Sequence, residues 1–255
     1  MPAAPTFGNV GGRPPAEDDS VYRLVYADDG PAPTYADENA ANADAGGETF
    51  LLGVDVGIRN VGLALLSWRP RREPTLRLLA HFDAGPSCMA ADRDVPLYAR
   101  LHEVMGAVLR VAGSAGAARV RMGIEQQQKQ TNDAHMVCVA GLLKAAFCAA
   151  HLDRFDRPPA ADGIVSVQPS SQTSTHLQRR LLPAVRPTPV VRRADKKERA
   201  VAMLQGWLEA QGLGDVRADF DYILTRRGRG DKVLKAGDIR DHVADAFLCA
   251  YVLTA

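Results

Sequence analysis

The sequence predicts a single α/β domain in which helices pack on both faces of a mixed β-sheet. Three strand-like segments follow one another from residue 49 with short turns, and helix-like and strand-like segments then alternate. Short connections favour antiparallel neighbours, whereas helical crossovers favour parallel strands. With 46% hydrophobic residues, a chain of 255 residues can bury one sizeable core.

The individual elements follow from periodicity and end signals. Leu97, Leu101, Val104 and Val108 recur at spacings of three and four, which is typical of an amphipathic helix. The segment Asp-Lys-Lys-Glu at 195–198 resembles a capping box that opens another helix. In order, the predicted strands are 50–56, 62–68, 75–82, 119–125 and 163–167, and the predicted helices are 96–111, 133–152, 195–212 and 241–253.

Residues 1–48 differ in composition from the rest. They contain two arginines against nine acidic residues and few large apolar side chains, so we predict a disordered acidic arm that touches the domain at 21–26. The arm has a net charge of −7, and the chain as a whole +1, which leaves +8 on residues 49–255. That charge is compatible with a binder of polyanions and equally with an ordinary basic surface.

Compartment and membrane association follow from cysteine use and hydropathy. The four cysteines form no metal-type pair, so we predict reduced thiols in an intracellular, non-secreted protein. The sequence shows no run of about 18 apolar residues, and we expect no membrane partner.

Two acids in strand-like segments need an explanation. Asp55 lies in the apolar run LLGVDVGIRNVGLALL, and Glu125 ends the strand RVRMGIE. A carboxylate held away from water protonates, pairs or binds a metal. A salt bridge from Asp55 to Arg59, and an exposed strand end for Glu125, are the alternatives.

A third acidic element lies in the final helix, DIRDHVADAFLCAYVL. Residues three or four apart share a helix face, so Asp245 lies beside both Asp241 and His242. Helix capping is the alternative role of Asp241. If this edge meets Asp55 and Glu125, divalent cations would relieve the repulsion among the carboxylates. Oxygen ligands suit Mg²⁺ or Mn²⁺, and two such ions about 4 Å apart can hydrolyse phosphodiesters.

Four segments, taken in order, resemble the RuvC-like Holliday junction resolvases, in particular the type of poxviruses and other large DNA viruses, which is related to mitochondrial resolvases. They are GVDVGIRN (53–60), GIEQQ (123–127), DKKERAVAMLQGWL (195–208) and DHVADAFLCA (241–250). The resemblance runs from residue 50 to 253 and leaves the arm uncovered. It implies a ribonuclease-H-like fold for 49–255, a homodimer and metal-dependent cleavage of four-way DNA junctions.

The resemblance also implies residue roles. Asp55, Glu125 and Asp245 match metal ligands, with Mg²⁺ or Mn²⁺ as cofactor and two ions per site. The remaining family acid falls at His242, which is therefore a catalytic candidate, and Asp241 is the rival ligand. Imidazole is a poorer Mg²⁺ ligand than carboxylate, so His242 could instead favour Mn²⁺, handle a proton or contact the scissile phosphate.

Basic residues supply the predicted DNA surface. Residues 179–199 carry eight basic side chains against two acidic ones, which favours phosphate binding over a plain solvated loop. A second basic stretch, 226–240, is expected to be a loop beside the final helix. The DNA-binding candidates are Lys196, Lys197, Arg199, Arg192, Arg193, Gln127 and Arg59.

The predicted function is therefore resolution of four-way junctions by symmetric nicks that leave 5′-phosphate and 3′-hydroxyl ends, at a viral replication site or in the host cytoplasm or nucleus. The helix 133–152 is apolar nearly all round, which fits a core helix or a dimer interface. An RNA-directed nuclease of the same fold and a non-catalytic junction-binding protein stay open. A sugar-kinase-like or actin-like phosphotransferase is disfavoured, because the later half of the sequence shows neither a second D-x-G phosphate loop nor a glycine-rich adenosine site.

Overall fold

The structure, a computed structural model, describes residues 22–27, 47–57, 60–83, 94–112, 119–126, 134–168, 175–182, 193–227 and 237–254. Its strands are β1 (Tyr22–Ala27), β2 (Thr49–Asp55), β3 (Asn60–Trp68), β4 (Thr75–Asp83), β5 (Arg119–Glu125) and β6 (Ile164–Val167). Its helices are α1 (Asp94–Val111), α2 (Ala134–Phe155), α3 (Thr175–Leu181), α4 (Arg193–Ala210), α5 (Gly214–Arg227) and α6 (Gly237–Val252).

The six strands form one mixed sheet in the order β1-β4-β3-β2-β5-β6. The pairs β1/β4, β4/β3 and β3/β2 are antiparallel, and β2/β5 and β5/β6 are parallel. The predicted fold class is confirmed: antiparallel strands come first, parallel strands follow a helical crossover, and helices cover both faces. This is the strand arrangement expected of a ribonuclease-H-like sheet.

The two faces of the sheet carry separate cores because successive strand residues point in opposite directions. Leu52 and Val54 of β2 join the core built with α1 and α2. Leu51, the residue before Leu52 in the same strand, joins the core built with α3, α4, α5 and α6. Asp55 has the same parity as Leu51, so its carboxylate lies on the α6 side.

Glycines let α6 lie directly on the sheet. A methyl group at Gly53 would overlap the carbonyl oxygen of Ala246, and one at Gly62 would overlap the carbonyl oxygen of His242. Gly53 and Gly123 are paired in register across β2 and β5, and a methyl at Gly123 would lie 2.8 Å from the oxygen of Cys249. Without these glycines the helix backbone could not approach the central strands so closely.

Three elements differ from the prediction. β1 lies within residues that we assigned to the acidic arm, at the point where contact was expected, and the neighbouring arm residues lie outside the described ranges. Helix α3 was not predicted. Helix α5 covers 214–227, so the start of the second basic stretch is helical rather than a loop, and Arg240 of that stretch lies in α6, 3.8 Å from Asp221.

The position of helix α2 accounts for its apolar composition. By length and mean hydropathy alone its segment Met136–Phe155 would also suit a membrane-crossing helix, although Lys144 interrupts it, so it is not an unbroken apolar run. Its inner side chains Val139, Leu143 and Phe147 are buried in the core with α1 and the sheet. Its outer side is exposed at Val137 and Leu152.

Candidate active site

The two strand acids meet at one edge of the sheet. β2 and β5 are parallel neighbours, and Asp55 and Glu125 each lie two residues beyond the paired glycines Gly53 and Gly123. Because the side-chain period of a strand is two, both carboxylates share the face that α6 covers. The sheet register thus brings together two acids that are 70 positions apart in the chain.

Helix α6 adds His242 and Asp245 to these acids. The His242 imidazole is hydrogen-bonded through Nδ1 to Asp55 Oδ2. The side chains of Asp55 and Asp245 are only 7% and 11% exposed. The structure therefore brings all four predicted catalytic residues into one enclosed cluster, while their catalytic roles stay predictions.

Lys196, in the first turn of α4, enters the same cluster. Its ammonium donates a hydrogen bond to Glu125 Oε1 at 3.2 Å and lies 3.9 Å from Asp245 Oδ2. The residue is half-buried. A cation from a third structural element thus stands between a strand carboxylate and a helix carboxylate.

Asp55 and His242 form a mutually supporting ion pair. Burial opposes ionisation of Asp55, yet the neighbouring His242, hydrogen bonds from His242 and Glu125, and the charge of Lys196 outweigh burial and lower the pKa of Asp55. Burial also opposes protonation of His242, yet the Asp55 carboxylate and its hydrogen bond raise the pKa of that imidazole. Asp55 is therefore the carboxylate of the cluster that holds its negative charge most firmly.

Glu125 and Asp245 behave in the opposite way. Burial, reinforced by the charge of Asp55, raises the pKa of Glu125 to about 7. Burial and the same charge raise the pKa of Asp245 to about 8, although Lys196 acts against both shifts. The cluster therefore has more negative charge than its own lysine and histidine compensate, which is the condition that a divalent cation relieves.

The donor set fits Mg²⁺ or Mn²⁺ by its chemistry. Within the described residues, Asp245 Oδ1 and Asp241 Oδ1 are buried side-chain oxygens with no hydrogen-bond partner. Carboxylate oxygens of this kind are the ligands that hard divalent cations prefer. In the part of the chain that the structure describes, however, no three acids, histidines or cysteines form a preassembled metal cage. Some rearrangement of side chains would have to accompany binding.

The rival residues Asp241 and His242 occupy different places. His242 bonds to Asp55 inside the cluster, whereas Asp241 forms an ion pair with Lys197 of α4. Helix α6 begins at Gly237, so Asp241 lies one turn inside it, and the alternative of helix capping is wrong for this residue. Asp241 is still close enough for its charge to raise the pKa of His242, so it borders the cluster.

The predicted DNA contacts divide into three groups. Lys196 directs its ammonium group at Glu125 of the cluster, and Lys197 directs its own at the bordering Asp241. Arg199 is half-buried in α4, and Arg193 begins that helix with a side chain outside the described set. Arg59, Gln127 and Arg192 lie outside the described residues. Arg180, also counted in the basic stretch, binds Glu73 at 3.0 Å and lies over the Tyr251 ring.

Sequence reasoning overlooked two polar pairs near this edge. Gln168, just after β6, donates a hydrogen bond from Nε2 to Gln126 Oε1 beside Glu125, and both residues are exposed. The buried Asn60 and His81 are joined at 2.9 Å across β3 and β4. Asn60 was visible as a polar residue in an apolar run, whereas no sequence pattern pairs it with His81.

Comparisons with known proteins give fold-level likenesses only. The sequence matches no protein-family model and no curated protein. Among solved structures, RuvC of Thermus thermophilus is 19% identical with a TM-score of 0.42, over 80% of this chain and 92% of that one. The same protein in complex with a Holliday junction substrate gives 17% and 0.41, over 80% and 91%. The yeast mitochondrial Holliday junction resolvase Ydc2 gives 12% and 0.42, over 78% and 79%. Likeness at this level assigns no activity.

Proposed function

We propose that this chain is a metal-dependent endonuclease that cuts branched DNA, with the four-way junction as its substrate. One observation carries the proposal: Asp55, Glu125, His242 and Asp245, from three distant segments, converge at one edge of the sheet. A buried group of like charges lowers stability and needs a cation. The choice of DNA junctions over other phosphodiesters comes from the sequence resemblance given above.

The residues would divide the work as follows. Asp55, Glu125 and Asp245 would hold Mg²⁺ or Mn²⁺. Asp241, at the border of the cluster, would contribute to holding a second ion. Such ions, when bound, activate water and stabilise the leaving oxygen of a phosphodiester. Asp55 fixes the His242 ring through Nδ1, so Nε2 is the atom that would exchange a proton with the substrate. The expected products carry a 5′-phosphate and a 3′-hydroxyl.

The test is cleavage of a synthetic four-way junction. We expect cuts in Mg²⁺ or Mn²⁺ at two positions related by the symmetry of the junction, and little cutting of duplex or single-stranded DNA of the same sequence. Preferred cutting of RNA would indicate an RNA-directed nuclease instead. Tight junction binding without cutting in either metal would indicate a non-catalytic junction-binding protein. The proposed substrate places the protein wherever branched DNA forms, inside a cell or at a viral replication site.

We also propose a homodimer formed through α2. Val137, Gly141, Ala145, Cys148 and Leu152 recur at spacings of three and four, so they form one stripe on the helix. Val137 and Leu152 are 52% and 49% exposed, and the small residues between them would allow a second helix to approach closely. A two-fold dimer would present two sites to a nearly two-fold substrate, which favours a second copy as the occupant of this stripe.

Sedimentation of Val137→Asp and Leu152→Asp variants tests the dimer. We expect the wild-type chain to sediment as a dimer and both variants as folded monomers, because each adds a charge to an apolar interface. A monomeric wild-type chain, or dimeric variants, would overturn the proposed interface. Replacing Glu103, an exposed residue of α1, with Ala is the control that should leave the dimer intact.

A further inference from the structure

The ammonium of Lys196 lies between two carboxylates that we propose as ligands of a divalent cation. It contacts Glu125 at 3.2 Å and Asp245 at 3.9 Å, so it joins the acid of β5 to the acid of α6. Its side chain is 22% exposed and reaches the cluster from α4, a separate element. The oxygens it contacts belong to two of the three carboxylates that a divalent ion would use.

The charges around Lys196 determine how its contacts would affect the binding of a metal ion. Among the residues that the structure describes, the positive groups that contact Asp55, Glu125 and Asp245 are Lys196 and the His242 imidazole. The Lys196 ammonium offsets part of this charge without any metal. A divalent ion bound by the same oxygens would face an ammonium at contact distance, where repulsion between like charges is strong in a partly buried site. Lys196 and the ion therefore exclude each other.

We propose that Lys196 is a tethered substitute cation, which holds Glu125 and Asp245 together in the metal-free protein and is expelled when a divalent ion binds. The inference rests on the proposed metal-dependent function and adds a step to it. The contacts of Lys196 also account for the finding that the described residues form no preassembled cage. The expelled ammonium would then be available to a phosphate oxygen at the rim, so metal loading and readiness for substrate would occur together.

Other roles of Lys196 predict different metal binding. If Lys196 only contacts DNA phosphate, its removal leaves metal affinity in the absence of DNA unchanged. If it is a structural support for the cluster, its removal weakens metal binding because the carboxylates lose their arrangement. A substitute cation predicts the reverse, since the ion no longer competes with an internal rival.

The first experiment is calorimetric titration of Lys196→Met with Mn²⁺, without DNA. We expect tighter binding than in the wild-type chain, on the order of tenfold or more, because a charge-assisted contact no longer has to be broken. The control, Lys144→Met, removes one positive charge from a half-buried position of α2, on the opposite face of the sheet. It should leave the affinity for Mn²⁺ within about twofold of the wild-type value. Unchanged or weaker binding in Lys196→Met would overturn the proposal.

The second experiment uses the wild-type chain and so does not depend on the folding of a variant. Lysine acetylation is followed by mass spectrometry with and without Mn²⁺. We expect Lys196 to react several-fold faster when the metal is bound, with Lys144 as the unchanged internal reference. Equal rates of Lys196 labelling, with metal binding shown by calorimetry, would overturn the substitute-cation role alone. Failure of the wild-type chain and both variants to bind Mn²⁺ or Mg²⁺ would overturn the metal-dependent function itself.

Discussion

The close packing of α6 on the sheet can be tested by Gly53→Ala. The added methyl would overlap the oxygen of Ala246 and lie 2.5 Å from Ala250 N and 2.9 Å from Ala246 C. The nearest of these atoms, the Ala246 oxygen, would lie at about half the distance of roughly 3.5 Å that such contacts prefer, so α6 would have to retreat by roughly 1.5 Å. All three atoms are backbone, so no side-chain rotation can relieve the overlap. Overpacking of this kind costs about 3 kcal/mol.

We expect two results from this variant. Its Tm should fall by roughly 6–12 °C for a domain of this size. Metal affinity should fall on the order of 10- to 100-fold, because Asp245 moves with the helix while Asp55 and Glu125 stay on their strands. Differential scanning fluorimetry and calorimetric titration with Mn²⁺ measure the two effects.

The matched control is Gly106→Ala in α1, on the other face of the sheet. A methyl there meets only Arg110 Nη1, at 3.9 Å, so alanine should stabilise the helix by about 0.5–1 kcal/mol and leave metal binding unchanged. If Gly53→Ala keeps both the wild-type Tm and the wild-type metal affinity, direct contact between the helix and the strands does not set the geometry of the cluster.

Three further predictions concern the cluster and the far end of α6. Asp55→Asn and Glu125→Gln should each abolish junction cleavage while preserving or strengthening junction binding in gel-shift assays, and retained cleavage would remove these residues from the proposed site. Because the pKa values of Glu125 and Asp245 are raised to about 7 and about 8, the folded metal-free chain holds protons that the unfolded chain releases. The stability of the metal-free chain should therefore fall as pH rises from about 4 to 8. Metal affinity should rise between about pH 6 and 8, and metal binding should release protons. Calorimetry in buffers of different ionisation enthalpy measures this release, and an affinity that does not depend on pH would contradict the prediction. Tyr251→Phe removes the hydrogen bond from the Tyr251 hydroxyl to Glu73 Oε2 at 2.9 Å, which should cost about 1 kcal/mol in thermal unfolding without changing metal affinity.

The sequence allowed the central sheet to be predicted because its signals are local. The runs around Asp55 and Glu125 combine strand periodicity with one misplaced charge each, and a buried charge can be recognised without knowing its partner. The glycines at 53 and 62 were visible, but their purpose was not. Only the packed helix shows that a side chain there would strike the backbone of α6.

The missed elements depend on tertiary contacts. β1 consists of six residues in an acidic, Pro- and Gly-rich stretch, and its paired residues in β4 lie about 50 to 60 positions away. Helix α5 buries Val216 and Phe220 but otherwise shows little apolar periodicity. Such segments form because neighbours cover them, which local propensity does not record.

The lysines of α4 show why a charge count cannot identify a partner. A cluster of positive residues predicts negative partners, and both DNA phosphate and the protein's own carboxylates satisfy that requirement. In the structure Lys196 and Lys197 contact Glu125, Asp245 and Asp241, so the basic stretch and the acidic helix are two halves of one arrangement. The two signals were read separately in the sequence, where nothing indicates that α4 and α6 are neighbours.

The position of the cluster also argues against a purely structural role. Further from the cluster, the core on this face of the sheet contains a group of aromatic side chains, in which Trp207 of α4 packs against Phe247 and Tyr251 of α6. Well-packed apolar side chains at the positions of Glu125, Asp245 and Lys196 would keep this face closed at lower electrostatic cost, since buried ion pairs are weak sources of stability. Three neighbouring carboxylates, two of them with raised pKa values, therefore lower the stability of the fold. Arrangements of this kind are concentrated at sites that bind a ligand or perform catalysis.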